Sequence, residues 1–244
     1  MGLRTTATGS RGQDLARLLD GPGAGLLLDL DGTLVDSEPI HRAAYAEYFA
    51  GRGWQVPDSV VQQFSGRRAA EVFATLEGPW AGQDPDLLTE GIIAVLRRTT
   101  ARPIAVPGAR ELLWECAAAG LPVAVVTSAR REWVRAVMGH LVDDGRTVPV
   151  VAAEDYQHGK PDPEPYRLGA ALLGLPPGGL VAAEDTSAGI ASARSAGVGY
   201  VIGVSTGPQA PAGADAIHPD LWPLTRAVEG TRRGAAGPGP RAQH

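Results

Sequence analysis

Asp29 and Asp31 stand two positions apart at the end of the apolar run LLLDLDGT, which begins at Leu26. In a continuing strand, residues two apart share a face, so the carboxylates would lie side by side. Gly32-Thr33 instead turns the chain out of the strand. One carboxylate is then fixed at a strand end, and the next points into whatever lies above it. Carboxylates so placed can attack an electrophile, move a proton or hold a hard cation through oxygen. Three more polar groups follow apolar runs: Thr127-Ser128 after LPVAVV, Lys160 in HGKPDPEPY, and Glu184-Asp185-Thr186 at the end of LVAAE. Lys160 is the only lysine among 22 Lys and Arg residues, a compact point charge in a chain that otherwise writes its cations as arginine.

One sheet edge would bring these groups together. Apolar runs at 25–30, 121–127, 148–152, 180–184 and 198–204 are separated by helix-like stretches GARELLWECAAAG, REWVRAVMGHL, PEPYRLGAALLG and SAGIASARSAG. The later runs are continuous rather than alternating, as in strands buried on both faces of a parallel sheet. This predicts an α/β fold, a doubly wound parallel sheet whose strand ends share one rim, with core segments 25–35 and 105–229. Residues 36–104 are far too long for a normal crossover and look helical throughout, in HRAAYAEYFAGRG, SVVQQFSG, RRAAEVFATLEG and DPDLLTEGIIAVLRRTT. They read as an inserted helical cap over the rim. Residues 1–24 and 230–244, rich in Gly and Arg, are expected to be flexible. GPGAG at 21–25 precedes its strand, where a dinucleotide loop would follow one.

Composition narrows the partner. The chain has 244 residues, 44% hydrophobic, and a net charge of −5, enough for a sizeable core in one or two domains. The absence of a basic stripe or tail argues against nucleic acid and anionic membrane, leaving small molecules as partners. The single cysteine, Cys116, excludes an intramolecular disulfide, suits a reducing compartment and reads as a small core residue. No segment is apolar for long enough to cross a bilayer or serve as a secretory leader, so a cytoplasmic protein is expected.

The segments D-L-D-G-T-L-V-D-S, V-V-T-S, G-K-P-D-P and A-E-D-T-S-A-G-I resemble, in order and over 26–204, the four motifs of the haloacid dehalogenase-like superfamily. The insertion resembles its type-one helical cap on a Rossmann-like core. DSEPIH and GKPDPEPY are similar to the sugar- and polyol-phosphate phosphatases and the β-phosphoglucomutases of that superfamily. The resemblance implies Mg2+ held by Asp29, the backbone carbonyl of Asp31 and Asp185, with Glu184 orienting its waters. Asp29 is then the nucleophile that forms an aspartyl-phosphate. Asp31 protonates the leaving alkoxide and later deprotonates water. Thr127 and the Ser128 amide hold phosphoryl oxygens, and Lys160 neutralises charge. The chemistry is coherent, because a phosphate monoester is an anion that repels a carboxylate unless a cation offsets the charge.

Outside the motifs, two readings stay open for each candidate. His41 either positions Asp31 or satisfies the start of a cap helix. In the turn Ser65-Gly66-Arg67-Arg68, the arginines either read the leaving group or form a solvated helix start, and Arg130 and Arg131 either contact substrate or face water. Among rival activities, the dehalogenases lack the second aspartate present here as Asp31. Phosphonate hydrolases use a cap lysine, and residues 36–104 contain none. A retired enzyme serving as a binding module predicts an eroded motif, and none is eroded. The expectation is a magnesium-dependent phosphomonoesterase acting on a small phosphorylated metabolite, a sugar or polyol phosphate. A β-phosphoglucomutase-like mutase is the alternative, and monomer and homodimer are both open.

Overall fold

In the central strand β1 (Gly25–Leu28), Leu26 and Leu28 join one apolar cluster while Leu27 joins another on the opposite face, all three fully buried. The computed structural model describes residues 15–142, 146–205 and 210–235, with side chains to residue 231. Between β1 and the second core strand the chain runs through β2 (Val35–Asp36), α1 (Glu38–Gly51), α2 (Asp58–Val61), α3 (Ala69–Thr75), α4 (Pro85–Leu96), β3 (Ile104–Ala105) and α5 (Ala109–Ala119). It continues with β4 (Val123–Val126), α6 (Arg131–Leu141), β5 (Val150–Val151), α7 (Glu164–Leu173), β6 (Leu180–Glu184), α8 (Ser187–Ser195), β7 (Tyr200–Val204), β8 (Ala216–His218) and α9 (Trp222–Ala235). The six core strands form one parallel sheet in the order β5-β4-β1-β6-β7-β8. Leu112, Val134 and Val228 pack on the Leu26 face, and Tyr166 and Ile190 on the Leu27 face. The fold is therefore the doubly wound α/β sandwich that the continuous apolar runs require, each fully buried leucine contributing about 1.5–3 kcal/mol.

The chain leaves the sheet and returns through a short antiparallel pair, Val35 opposite Ala105 and Asp36 opposite Ile104. The helices between these strands bury their own cluster, in which Phe49 stacks on Trp80 at 5.5 Å and Phe73 meets it edge-on at 5.3 Å. Trp80 is 1% exposed, and its indole N–H donates to Leu76 O at 2.9 Å, so the ring is buried without leaving a polar atom unpaired. α4 starts where Asp84 accepts from the amides of Asp86 and Leu87 and Pro85 takes the first turn.

Three features depart from expectation. Residues 15–19, expected to be flexible, form a helical turn whose Leu15 and Leu19 are buried in the same cluster as Leu224 and Val228 of α9. The Gly- and Arg-rich composition around this turn masked its i, i+4 leucines. The tail, expected to be loose from residue 230, continues as helix to Ala235. The expectation of flexibility for 1–14 and 236–244 lies outside the described residues. Edge strand β8 was not anticipated: three half-exposed residues make no apolar run.

Candidate active site

β1 lies between β4 and β6, with Leu28 opposite Val125 on one side and Ala183 on the other. The residues that follow these strands, Asp29, Thr127 and Asp185, therefore emerge side by side. Lys160, from the loop before α7, is fully buried beneath them. Its Nζ donates to Asp29 Oδ1 at 2.5 Å, Glu184 Oε1 at 2.5 Å and Val126 O at 3.0 Å. Tyr166 also donates to Glu184 Oε1, at 3.0 Å, while Glu184 Oε2 accepts from Asp185 N at 3.1 Å and from Thr186 N and Oγ1 at 3.2 and 3.0 Å. Both oxygens of Glu184 are thus engaged by protein donors. The same carboxylate that holds Lys160 and the β6–α8 turn is the one expected to serve the metal.

Carboxylate oxygens of Asp29, Glu184 and Asp185 lie within 4.8 Å of one another. Asp185 Oδ1 is buried without a protein partner. Gly32, at φ 89°, lets the β1 turn close onto Asp185, since a Cβ there would collide with its carboxylate. An all-oxygen donor set with an orphaned buried carboxylate oxygen fits a hard divalent cation.

Electrostatics agree. Burial raises Asp29 to about 8, with Glu184 and Asp31 adding to the shift and Lys160 opposing it. Burial likewise raises Asp185 well above the carboxylate range, reinforced by Asp29 and Glu184. Burial alone would lower Lys160, but Asp29, Glu184 and Tyr166 outweigh it and raise the ammonium well above its usual range. One ammonium among three carboxylates leaves excess negative charge, which protons or a cation must neutralise. With Asp29 raised from the ordinary 3.8 to about 8 by burial, metal-free protein takes up a proton on folding between those values. Its stability should therefore fall as pH rises through that window. Chelated protein is expected to melt at higher temperature at pH 6 than at pH 8, relative to Asp29→Asn, which lacks this increment. Identical pH dependence in both proteins would show that Asp29 is ionised without the metal.

Asp31 faces the cap. Its Oδ1 accepts from Ser37 Oγ at 2.6 Å and from Trp133 Nε1 at 2.9 Å, and His41 Nε2 stands 3.9 Å away. His41 is thus brought near Asp31, its Nε2 buried without a hydrogen-bond partner. Trp133 is a contact that sequence reasoning missed, because a tryptophan in the first turn of an amphipathic helix reads as core. Thr127 Oγ1 accepts from Ala129 N at 3.0 Å, so its hydrogen is free to donate into the site.

The arginines separate by their partners. Arg68 donates to Gln157 O at 2.9 Å and pairs with Glu71 at 3.2 Å, and Glu71 accepts from Gly159 N at 2.8 Å. Arg130 pairs with Glu90 of α4, and Arg131 with Asp155. Arg68 and Arg130 clasp the helical insertion to the core, and both also line the cavity beside the site. Ser128 joins this clasp, its Oγ donating to Gly66 O at 3.1 Å. Gly66, at φ 69°, has no Cβ to strike Thr186, which allows this close approach. Arg67 differs: its Nε is buried with no protein partner, and the side chain lines the cavity. That cavity measures about 640 Å³ and lies between the clasped insertion and the strand ends, with Asp31, His41, Tyr45, Phe64, Arg67 and Trp133 in its walls.

This sheet, with acidic and basic groups at adjacent strand ends, defines a class. A model of the haloacid dehalogenase-like hydrolases matches residues 24–197, and the chain belongs to that family. It is 34% identical over 204 residues to validoxylamine A 7'-phosphate phosphatase of Streptomyces hygroscopicus subsp. limoneus, covering 81% of this chain and 95% of the relative. It is 38% identical over 186 residues to hexitol phosphatase A of Escherichia coli strain K12, covering 74% and 82%. Among solved structures, a hydrolase from Pseudomonas syringae superposes with a TM-score of 0.76 at 23% identity, over 84% of this chain and 98% of the other.

Proposed function

We propose that the protein is a Mg2+-dependent phosphomonoesterase that hydrolyses sugar or polyol phosphates through an aspartyl-phosphate on Asp29. The observation that carries this reading is the division of labour between two aspartates. Asp29 is buried against Lys160 at the strand end, and Asp31 faces a cavity with hydrogen-bond donors on one oxygen. The two relatives named above are, by name, a phosphatase of validoxylamine A 7'-phosphate and a hexitol phosphatase, which supports this substrate class.

Asp29 and Asp185, with the Asp31 carbonyl, would hold the Mg2+, which when bound supplies positive charge against the phosphoryl oxygens. Asp29 attacks phosphorus in line with the leaving oxygen. Lys160 keeps Asp29 oriented and offsets its charge, Thr127 and the Ser128 amide donate to phosphoryl oxygens, and Arg67 reads the leaving group. Asp31 protonates the departing alkoxide, then takes a proton from the water that releases phosphate. No helix among the described residues is long and apolar enough to cross a membrane, and buried Cys116 suits the reducing cytoplasm where such metabolites are found.

Purified protein is expected to release inorganic phosphate from a hexitol or hexose monophosphate with Mg2+ and without any bisphosphate, and to stop on chelation. Conversion of β-glucose 1-phosphate to glucose 6-phosphate with negligible free phosphate would make the protein a mutase instead.

A further inference from the structure

We propose that Trp133 is a positioning residue for proton transfer: its indole N–H fixes Asp31 Oδ1 as an acceptor, so that the catalytic proton is carried on Oδ2. This rests on the reading of Asp31 as the general acid and adds a residue and an atom to it. Two donors from different parts of the fold converge on the same oxygen, Ser37 Oγ at 2.6 Å from the start of the insertion and Trp133 Nε1 at 2.9 Å from the core helix α6. A hydroxyl can rotate and either donate or accept, but an indole N–H only donates. A protonated carboxyl accepts far better at its carbonyl oxygen than at its hydroxyl oxygen, so the oxygen facing Trp133 favours the carbonyl role and Oδ2 is left to bear the hydrogen.

The indole is placed by its helix and packs on one neighbouring ring. α6 places it in its first turn, next in sequence to Glu132, which accepts from Arg97, the residue that caps α4, with Nε at 3.0 Å and Nη2 at 2.6 Å. The His41 ring lies against the indole at 5.0 Å, tilted by 55°. In the step itself, the bond from phosphorus to the leaving oxygen breaks and its electron pair goes to that oxygen. The oxygen takes the proton from Oδ2, leaving Asp31 a carboxylate. The indole N–H then faces an anion where it faced a neutral carbonyl, so its hydrogen bond strengthens as the proton leaves. An interaction that is stronger in the transition state than in the ground state lowers the barrier to turnover.

The test uses the full chain with Mg2+, a sugar phosphate and 4-nitrophenyl phosphate, whose leaving group needs little protonation. Trp133→Phe keeps a ring against His41 and removes only the donor. Loss of a hydrogen bond to a charged group should lower kcat on the sugar phosphate roughly ten- to hundredfold, with the aryl ester within about twofold. Trp133→His, which restores an N–H, should recover part of the loss and serves if the Phe variant does not fold. In Asp31→Asn background, Trp133→Phe should cost nothing further on the sugar phosphate. Equal losses on both esters, a raised KM with unchanged kcat, or an additive loss in the double variant would each overturn the inference. Asp31→Asn alone, if it slows both esters equally, overturns instead the assignment of Asp31 as general acid.

Discussion

Asp29→Asn is expected to abolish turnover, to below about a hundredth of the unsubstituted rate, while leaving the fold intact. The amide is nearly isosteric with the carboxyl, so packing at the end of β1 is preserved. Lys160 keeps Glu184 and Val126 O as partners, and the buried ammonium is not orphaned. The nucleophile, however, has no substitute. Glu184 has both oxygens engaged by donors, and Asp185 belongs to a different strand end. The unsubstituted protein, quenched during turnover and reduced with borohydride, should carry its modification at position 29 by mass spectrometry. Turnover in Asp29→Asn above that level, or a modification at another carboxylate, would refute the role.

The second large effect concerns Lys160. Lys160→Met should remove activity and also destabilise the protein by about 3–5 kcal/mol, because Asp29 and Glu184 lose the only ammonium buried between them. For a chain of this length that is a fall in melting temperature of roughly 10 °C. The loss should shrink on acidification, since burial raises Asp29 to about 8 even beside Lys160, whose removal raises it further, and a neutral carboxyl needs no partner. Adding Glu184→Gln should restore part of the stability but none of the activity, because the buried charge is relieved while the phosphoryl group still lacks its cation. Thermal melts of the single and double variants at pH 6 and 8 decide the matter. An unchanged melting temperature for Lys160→Met would show that the carboxylates do not depend on it for stability.

The sheet was legible because burial on both faces writes continuous apolar runs, and five of the six core strands lie within the expected segments. Only β8, three half-exposed edge residues, carried too little pattern to be seen. The turn at 15–19 was hidden for the opposite reason: its leucine spacing was helical, but the composition around it pointed to disorder.

At the site, the sequence by itself determined which groups follow the strand ends. A parallel sheet directs every carboxyl end to one rim, so Asp29, Thr127 and Asp185 become neighbours from strand order alone. Tertiary structure decided which side chains are already engaged. Arg67, Arg68 and Arg130 look alike as letters, yet Arg68 and Arg130 clasp the helical insertion to the core while Arg67 Nε lacks a partner. Glu184 and Asp185 are adjacent, yet one has both oxygens engaged and the other keeps Oδ1 free of protein donors. Trp133 and Asp31 are 102 residues apart and meet at 2.9 Å. Local spacing constrains the face on which a residue lies, whereas a contact across two elements depends on how those elements pack. A one-residue change in packing register would move the indole out of reach.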